Sequence, residues 1–284
     1  MLRTAVLRLI ASLTMAASTV IGSFTGSFTG SVALSDDGEP KSATRPAAQV
    51  YELAVVRANP GRLDALEKLV RDHELSLLPH RGMQPVAFLT AAGERPHEAL
   101  WCLYAVANPA DGAAKDGNTR WRQVHDDPAW KQAEAAADAD GKVIESVTVM
   151  PLRMTSWSPS LSIERSEKPR VFELRTYTCP DADKLTRLQK RFADHTMGLF
   201  AKHGMQNIVY WLPYEAADSE RMLVYLLAHD SIEAAGRSFD GFRQDPAWVA
   251  AKNASEQEAG GSLTVKQNGV VSQFLKPTAF SPLR

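Results

Sequence analysis

The segment RLDALEKLVRDHELSLLPHRGMQ, residues 62–84, lies without a gap on KLTRLQKRFADHTMGLFAKHGMQ, residues 184–206. Leu63, Leu66, Lys68, Asp72, His73, Leu77, Gly82, Met83 and Gln84 recur as Leu185, Leu188, Lys190, Asp194, His195, Leu199, Gly204, Met205 and Gln206. Working outward, the same order holds for three more pairs of segments. Tyr51-Glu52-Leu53 matches Phe172-Glu173-Leu174, and Asp127-Pro128-Ala129-Trp130 matches Asp245-Pro246-Ala247-Trp248. Thr155-Ser156-Trp157-Ser158-Pro159 matches Thr278-Ala279-Phe280-Ser281-Pro282. A single domain therefore occurs twice. The copies are expected at 48–157 and 170–284, joined by a polar linker at 158–169.

Each copy reads as strand, helix, two strands, helix, strand. Val171 to Thr178 alternates with the period of two of a strand, and Leu185, Leu188, Phe192, His195 and Leu199 follow at the three-and-four spacing of an amphipathic helix. Gly204, like Gly82, is placed to end that helix in the left-handed conformation. Met222 to Ala228 is apolar on both faces, as a central strand is. Asp245-Pro246 and Asp127-Pro128 pair a capping side chain with proline at the first helical position. Val143 to Leu152 and Leu263 to Leu275 close the units as strands. The fold class is α+β, two ferredoxin-like βαββαβ repeats. Each repeat would leave one sheet face bare, so the two faces are expected to meet in an intramolecular dimeric α/β barrel.

The composition fits that reading and excludes others. The 284 residues are 44% hydrophobic, and 32 Lys+Arg against 33 Asp+Glu give a net charge of -1. Without a basic stripe, nucleic acid is not an expected partner. Two cysteines, Cys102 and Cys179, cannot build a disulfide framework. Arg3 and Arg8 precede an uncharged stretch from Leu9 to Ser35 that is too rich in Ser, Thr and Gly for a spanning helix. Residues 1–35 read as a signal peptide and 36–47 as a flexible leader, so the mature chain is expected to be exported, periplasmic or secreted, with no stable membrane anchor.

Phe172-Glu173-Leu174-Arg175-Thr176-Tyr177-Thr178, the helix with Asp194-His195, Lys202-His203-Gly204 and Asp245-Pro246-Ala247-Trp248 resemble the NIPSNAP family. The resemblance implies membership of the dimeric α/β-barrel superfamily. That family has no settled reaction; the superfamily also holds cofactor-independent monooxygenases and haem-handling oxidoreductases. In the first copy Ala54 and Val56 replace Arg175 and Tyr177.

The ligand-binding candidates are His195, Arg175, Tyr177, Glu173 and His73; the catalytic residues and the cofactor are unknown. His73 and His195 fall in the apolar stripes of their helices, where a histidine is either a satisfied core group or a pocket acid/base or haem-type ligand. Glu173, Arg175 and Tyr177 share one face of their strand and Phe172, Leu174 and Thr176 the other. If the apolar set packs under the helices, the polar set enters the barrel opposite Glu52, Ala54 and Val56. There Glu173 and Arg175 form an ion pair, or Arg175 holds an anionic group that Tyr177 orients. No metal is expected: His73 and His80, seven residues apart, lie about 10.5 Å apart along a helix, and His125-Asp126-Asp127 reads as a loop and cap. The leading function is binding of a small molecule or a protein partner by a pseudo-dimer that can oligomerise further. The alternative is a monooxygenase or haem-handling oxidoreductase.

Overall fold

A computed structural model describes residues 50–93, 98–107, 119–163, 166, 170–214 and 219–284; the expected signal peptide and leader lie outside them. The first repeat runs β1 (Val50–Ala58), α1 (from Leu63–Leu69 to Leu78–Arg81), β2 (Met83–Ala91), β3 (Ala99–Val106), α2 (Arg120–His125), α3 (Pro128–Ala137) and β4 (Ile144–Met154). The second runs β5 (Val171–Thr178), α4 (from Ala182–Arg191 to Met197–Lys202), β6 (Gln206–Pro213), β7 (Met222–His229), α5 (Ile232–Gln244), α6 (Pro246–Glu258) and β8 (Val270–Pro277). Among the described residues no helix is long and apolar enough to cross a membrane.

The strands close into one antiparallel barrel in the order β1-β3-β2-β8-β5-β7-β6-β4. Each repeat supplies a four-stranded sheet, and the fold is the dimeric α/β barrel built within one chain. Two short seams join the halves: Leu89, Thr90 and Ala91 pair with Pro277, Lys276 and Leu275, and Leu152, Arg153 and Met154 with Pro213, Leu212 and Trp211.

Segments after the last strands extend both seams. Tyr210 N donates to Ser158 Oγ at 2.9 Å, and Tyr210 O accepts from Thr155 N at 3.0 Å. In the other half Phe88 N donates to Ser281 Oγ at 3.0 Å, and Phe88 O accepts from Thr278 N at 2.9 Å. Each repeat thus satisfies backbone groups on the other's edge strand that would otherwise stand open. An aromatic ring crosses with each tail: Trp157 packs into the helix-side core of the second repeat and Phe280 into that of the first.

Apolar residues divide into three layers accordingly. Leu66, Leu78, Phe88 and Trp130 lie under the helices of the first repeat. Phe192, Phe200, Tyr210, Tyr225 and Phe242 lie under those of the second. Tyr51, Leu53, Leu103, Phe172, Trp211 and Leu226 fill the barrel. Gly82 (φ 63) and Gly204 (φ 79) end α1 and α4 in the left-handed region, and Asp127 and Asp245 each accept from the second residue of their helix at 2.9 Å.

Three expectations are corrected. The second helical segment of each repeat is two helices, because Asp127-Pro128 and Asp245-Pro246 start a new one directly after α2 and α5. The last strand begins at Val270 and not at Leu263: Leu263 is buried, but it sits in a loop that turns at Asn268, whose φ is 53°. The third concerns α1 and α4. Each contains a π-helical turn, Val70–Glu74 and Phe192–Thr196, closed by Leu75 N to Val70 O and Met197 N to Phe192 O. The wider turn inserts one residue into the 3.6 spacing and rotates the buried stripe.

Candidate functional site

That rotation decides the histidines. His73 and His195 are exposed, and the residues one position on, Glu74 and Thr196, are buried instead. Neither histidine lies in a pocket between helix and sheet. Asp72 and Asp194 beside them pair with lysines one turn back, Lys68 at 2.6 Å and Lys190 at 2.5 Å.

The two faces of β5 are the reverse of the expected ones. Phe172 and Leu174 point into the barrel with Leu53, Leu103 and Trp211, whereas Tyr177 packs with the helix-side core of the second repeat. Glu173 and Arg175 share the face of Tyr177 by strand alternation. Glu52, Ala54 and Val56 likewise face the helices of the first repeat, with Ala54 and Val56 in its core. The physical reason is the closed barrel, whose remaining cavity of about 10 Å³ is lined by Leu53, Leu89, Leu103, Leu174, Leu226 and other apolar side chains. A charge there would lack the polar partners that burial demands.

Under the helices those partners exist. Glu173, 1% exposed, accepts from Arg175 Nη1 at 2.5 Å and from Ser272 Oγ at 2.5 Å through Oε1, and its Oε2 lies 2.9 Å from His229 Nε2. Register brings these groups together, since Arg175 stands opposite Ser272 on β8 and Tyr225 on β7, and Val171 opposite His229. Burial alone would raise the Glu173 pKa; the His229 hydrogen bond, the Arg175 charge and Ser272 hold it below the ordinary value. Burial works against the charge on Arg175, and Tyr225, Tyr177 and Glu173 outweigh it, keeping the guanidinium well above its ordinary pKa. Its Cζ lies 4.5 Å from the centre of the Phe239 ring and 5.9 Å from that of Tyr177.

A second buried cation, Arg191 on α4, stacks over Trp248 at 5.0 Å. It reaches Ser255 Oγ at 3.3 Å and Glu256 only at 3.8 Å, and burial lowers its pKa. Arg175 Nε and Arg191 Nε are both buried without a hydrogen-bond partner. Two desolvated guanidiniums thus stand in a layer with the buried Glu173 carboxylate, and Arg175 keeps 12% of its side chain exposed. Such an arrangement suits a small anion.

Residues 172–282, the segment that carries this cluster, match the model of the NIPSNAP family. That match spans nearly the whole of the second repeat. A NIPSNAP family protein of unknown function from Agrobacterium tumefaciens is 19% identical over 39% of this chain and 92% of that one, with a TM-score of 0.30. An anthrone oxidase-like protein is 12% identical over 84% of this chain and 96% of that one, with a TM-score of 0.49. A variant of chlorite dismutase from Candidatus Nitrospira defluvii is 8% identical over 80% and 91%, with a TM-score of 0.42. No curated protein matches the chain.

The first repeat does not reproduce the cluster of its NIPSNAP neighbour. At the positions of Arg175, Tyr177, Tyr225 and Ser272 it carries Ala54, Val56, Cys102 and Val149, all apolar or weakly polar. Glu52 instead caps α2 by accepting from Arg120 N and Trp121 N, both at 2.8 Å. Its polar centre lies elsewhere. Glu74, fully buried by the π turn, accepts from the Tyr104 hydroxyl and lies 2.9 Å from His125 Nε2. The His125 ring is held between Trp121 at 3.6 Å and Trp130 at 4.0 Å, so His125 belongs to the core and not to a loop. Among the described residues no cluster of three or more His, Cys, Asp or Glu could hold a metal.

Of the candidates, the structure brings Glu173, Arg175 and Tyr177 together and leaves His195 and His73 outside. His229, Ser272, Arg191 and Glu74 were not singled out by the sequence. His229 could have been found, because alternation from Tyr225 and Leu227 places it on the face of Glu173. Arg191 and Glu74 sit at or beside the π turns, where periodicity gives no signal.

Proposed function

We propose that this is an exported protein whose NIPSNAP repeat binds a small anionic molecule between sheet and helices at Arg175, with the first repeat as its scaffold. The observation that carries it is Arg175 itself. Glu173 engages one of its nitrogens, its Nε is unpartnered, and a second unpartnered guanidinium nitrogen lies in the same layer. His195, on which an acid/base or haem-ligand role would rest, stands on the exposed face of α4.

Calorimetric titration of the mature chain with acetate and inorganic phosphate tests the binding. Saturable binding that Arg175→Gln abolishes and His195→Ala leaves intact is expected; equal affinity in Arg175→Gln would overturn it. Export is supported by Arg3, Arg8 and the uncharged stretch after them. Mass spectrometry of the exported form is expected to find an N-terminus between Ser18 and Asp36, whereas intact Met1 in a membrane fraction would contradict it.

A further inference from the structure

We infer that the anion bound by the NIPSNAP repeat is a carboxylate with an apolar body, and that Trp157, contributed by the first repeat, is the wall that selects that body. This rests on the site at Arg175 proposed above and names what else it recognises.

Trp157 is fixed there by its own tail. The two backbone groups of Tyr210 are taken by Thr155 N and Ser158 Oγ, on either side of Trp157. Its ring lies 5.1 Å from Tyr210 and 6.3 Å from Phe192. Phe192 also meets Tyr177, at 5.5 Å, and Tyr177 lies beside Arg175. One continuous row therefore runs Trp157, Phe192, Tyr177, Arg175, with the cation at one end. Trp157 and Tyr177 are only half-buried, as are Met197 and Leu212 packed on the same cluster. Phe192 between Trp157 and Tyr177 is buried, and partly open apolar side chains in a row that ends in a desolvated cation fit a molecule that is charged at one end and apolar at the other.

The twofold relation supplies the control. Phe280 makes the equivalent crossing into the first repeat, 5.0 Å from Phe88, where Ala54 stands in place of the arginine. Removing Phe280 should disturb one seam as removing Trp157 disturbs the other, without touching the site.

The test is calorimetric titration of the full mature chain with octanoate and acetate. Octanoate is expected to bind more tightly than acetate. Trp157→Ala should weaken octanoate by about tenfold, the scale of one aromatic contact, while leaving acetate unchanged, and Phe280→Ala should change neither. Trp157→Leu, which keeps apolar bulk, covers a failure of the alanine variant to fold and should lose part of the preference. An octanoate-to-acetate ratio unchanged by either Trp157 variant overturns the role of Trp157 and leaves the Arg175 site standing. If the wild type binds inorganic phosphate but neither acid, this inference falls and the Arg175 site stands; if it binds none of the three, the Arg175 site falls and this inference with it.

Discussion

Ser281 and Phe88 are 193 residues apart in the chain, yet the Phe88 amide donates to the Ser281 hydroxyl at 3.0 Å, which donates in turn to Leu283 O at 2.7 Å. The bond joins the last segment of the second repeat to the first sheet. Replacing Ser281 by alanine leaves the buried Phe88 N–H without its partner, which costs about 1–3 kcal/mol. Urea unfolding of Ser281→Ala should show that loss; an unchanged midpoint would mean that the tail does not hold the seam.

The π turn in α1 makes a prediction about neighbours. Glu74→Ala removes the acceptor of the buried Tyr104 hydroxyl and the partner of His125, and is expected to destabilise by about 1–3 kcal/mol. His73→Ala, one residue earlier on the exposed face, should change stability by no more than about 0.5 kcal/mol. The opposite order, read by thermal unfolding, would restore the regular helix that places His73 inward.

Asp245 gives a dependence on acid. Hydrogen bonds from Lys202 at 2.7 Å and His203 at 2.8 Å, with the Ala247 amide, hold its carboxyl far below its ordinary value of 3.8. A folded-state pKa below the unfolded one adds stability that is full above about pH 4 and is lost as the pH falls toward the folded value. Asp245→Asn keeps a capping oxygen but cannot titrate. The gap in stability between wild type and Asp245→Asn should therefore narrow from pH 7 to pH 3; a gap of constant size would show that the charge of Asp245 contributes nothing.

The barrel core predicts the behaviour of the halves. Residues 48–157 or 170–284 alone would expose Leu53 and Leu103, or Phe172 and Leu226, which the closed barrel buries. Exposed apolar faces of that kind drive association, so each half should sediment as a dimer or aggregate. Stable monomers of both halves would contradict the shared core.

How far the sequence reached can be read from these residues. The matched segments sufficed for the repeat, the glycines at 82 and 204 for the helix stops, and the strand pattern for the closed barrel, because each copy alone would leave one sheet face bare. Which face of β5 turns inward did not follow. Alternation separates Glu173, Arg175 and Tyr177 from Phe172 and Leu174, but the layer under the helices is itself rich in apolar side chains, Leu223, Tyr225 and Leu227 among them. Apolarity alone therefore cannot say which face is core. The π turns are harder still: one inserted residue changes His195 for Thr196 at the buried position, and the sequence keeps the same apolar spacing on either side. Glu52 and Glu173 show a third limit. They match in sequence, yet one caps a helix and the other holds an arginine; Glu52 meets the first amides of α2, whereas Glu173 meets Arg175 on its own strand and Ser272 and His229 on the strands beside it.

The central claim is that Arg175, under the helices and not inside the barrel, is where the NIPSNAP repeat takes its ligand. The most direct measurement is the nitrogen–proton spectrum of the arginine Nε–H groups in the isotope-labelled protein, recorded while octanoate is added and assigned with Arg175→Lys. The resonance of Arg175 Nε, which has no partner in the free protein, should move and saturate with the binding isotherm. Saturable binding that leaves that resonance in place would contradict the account.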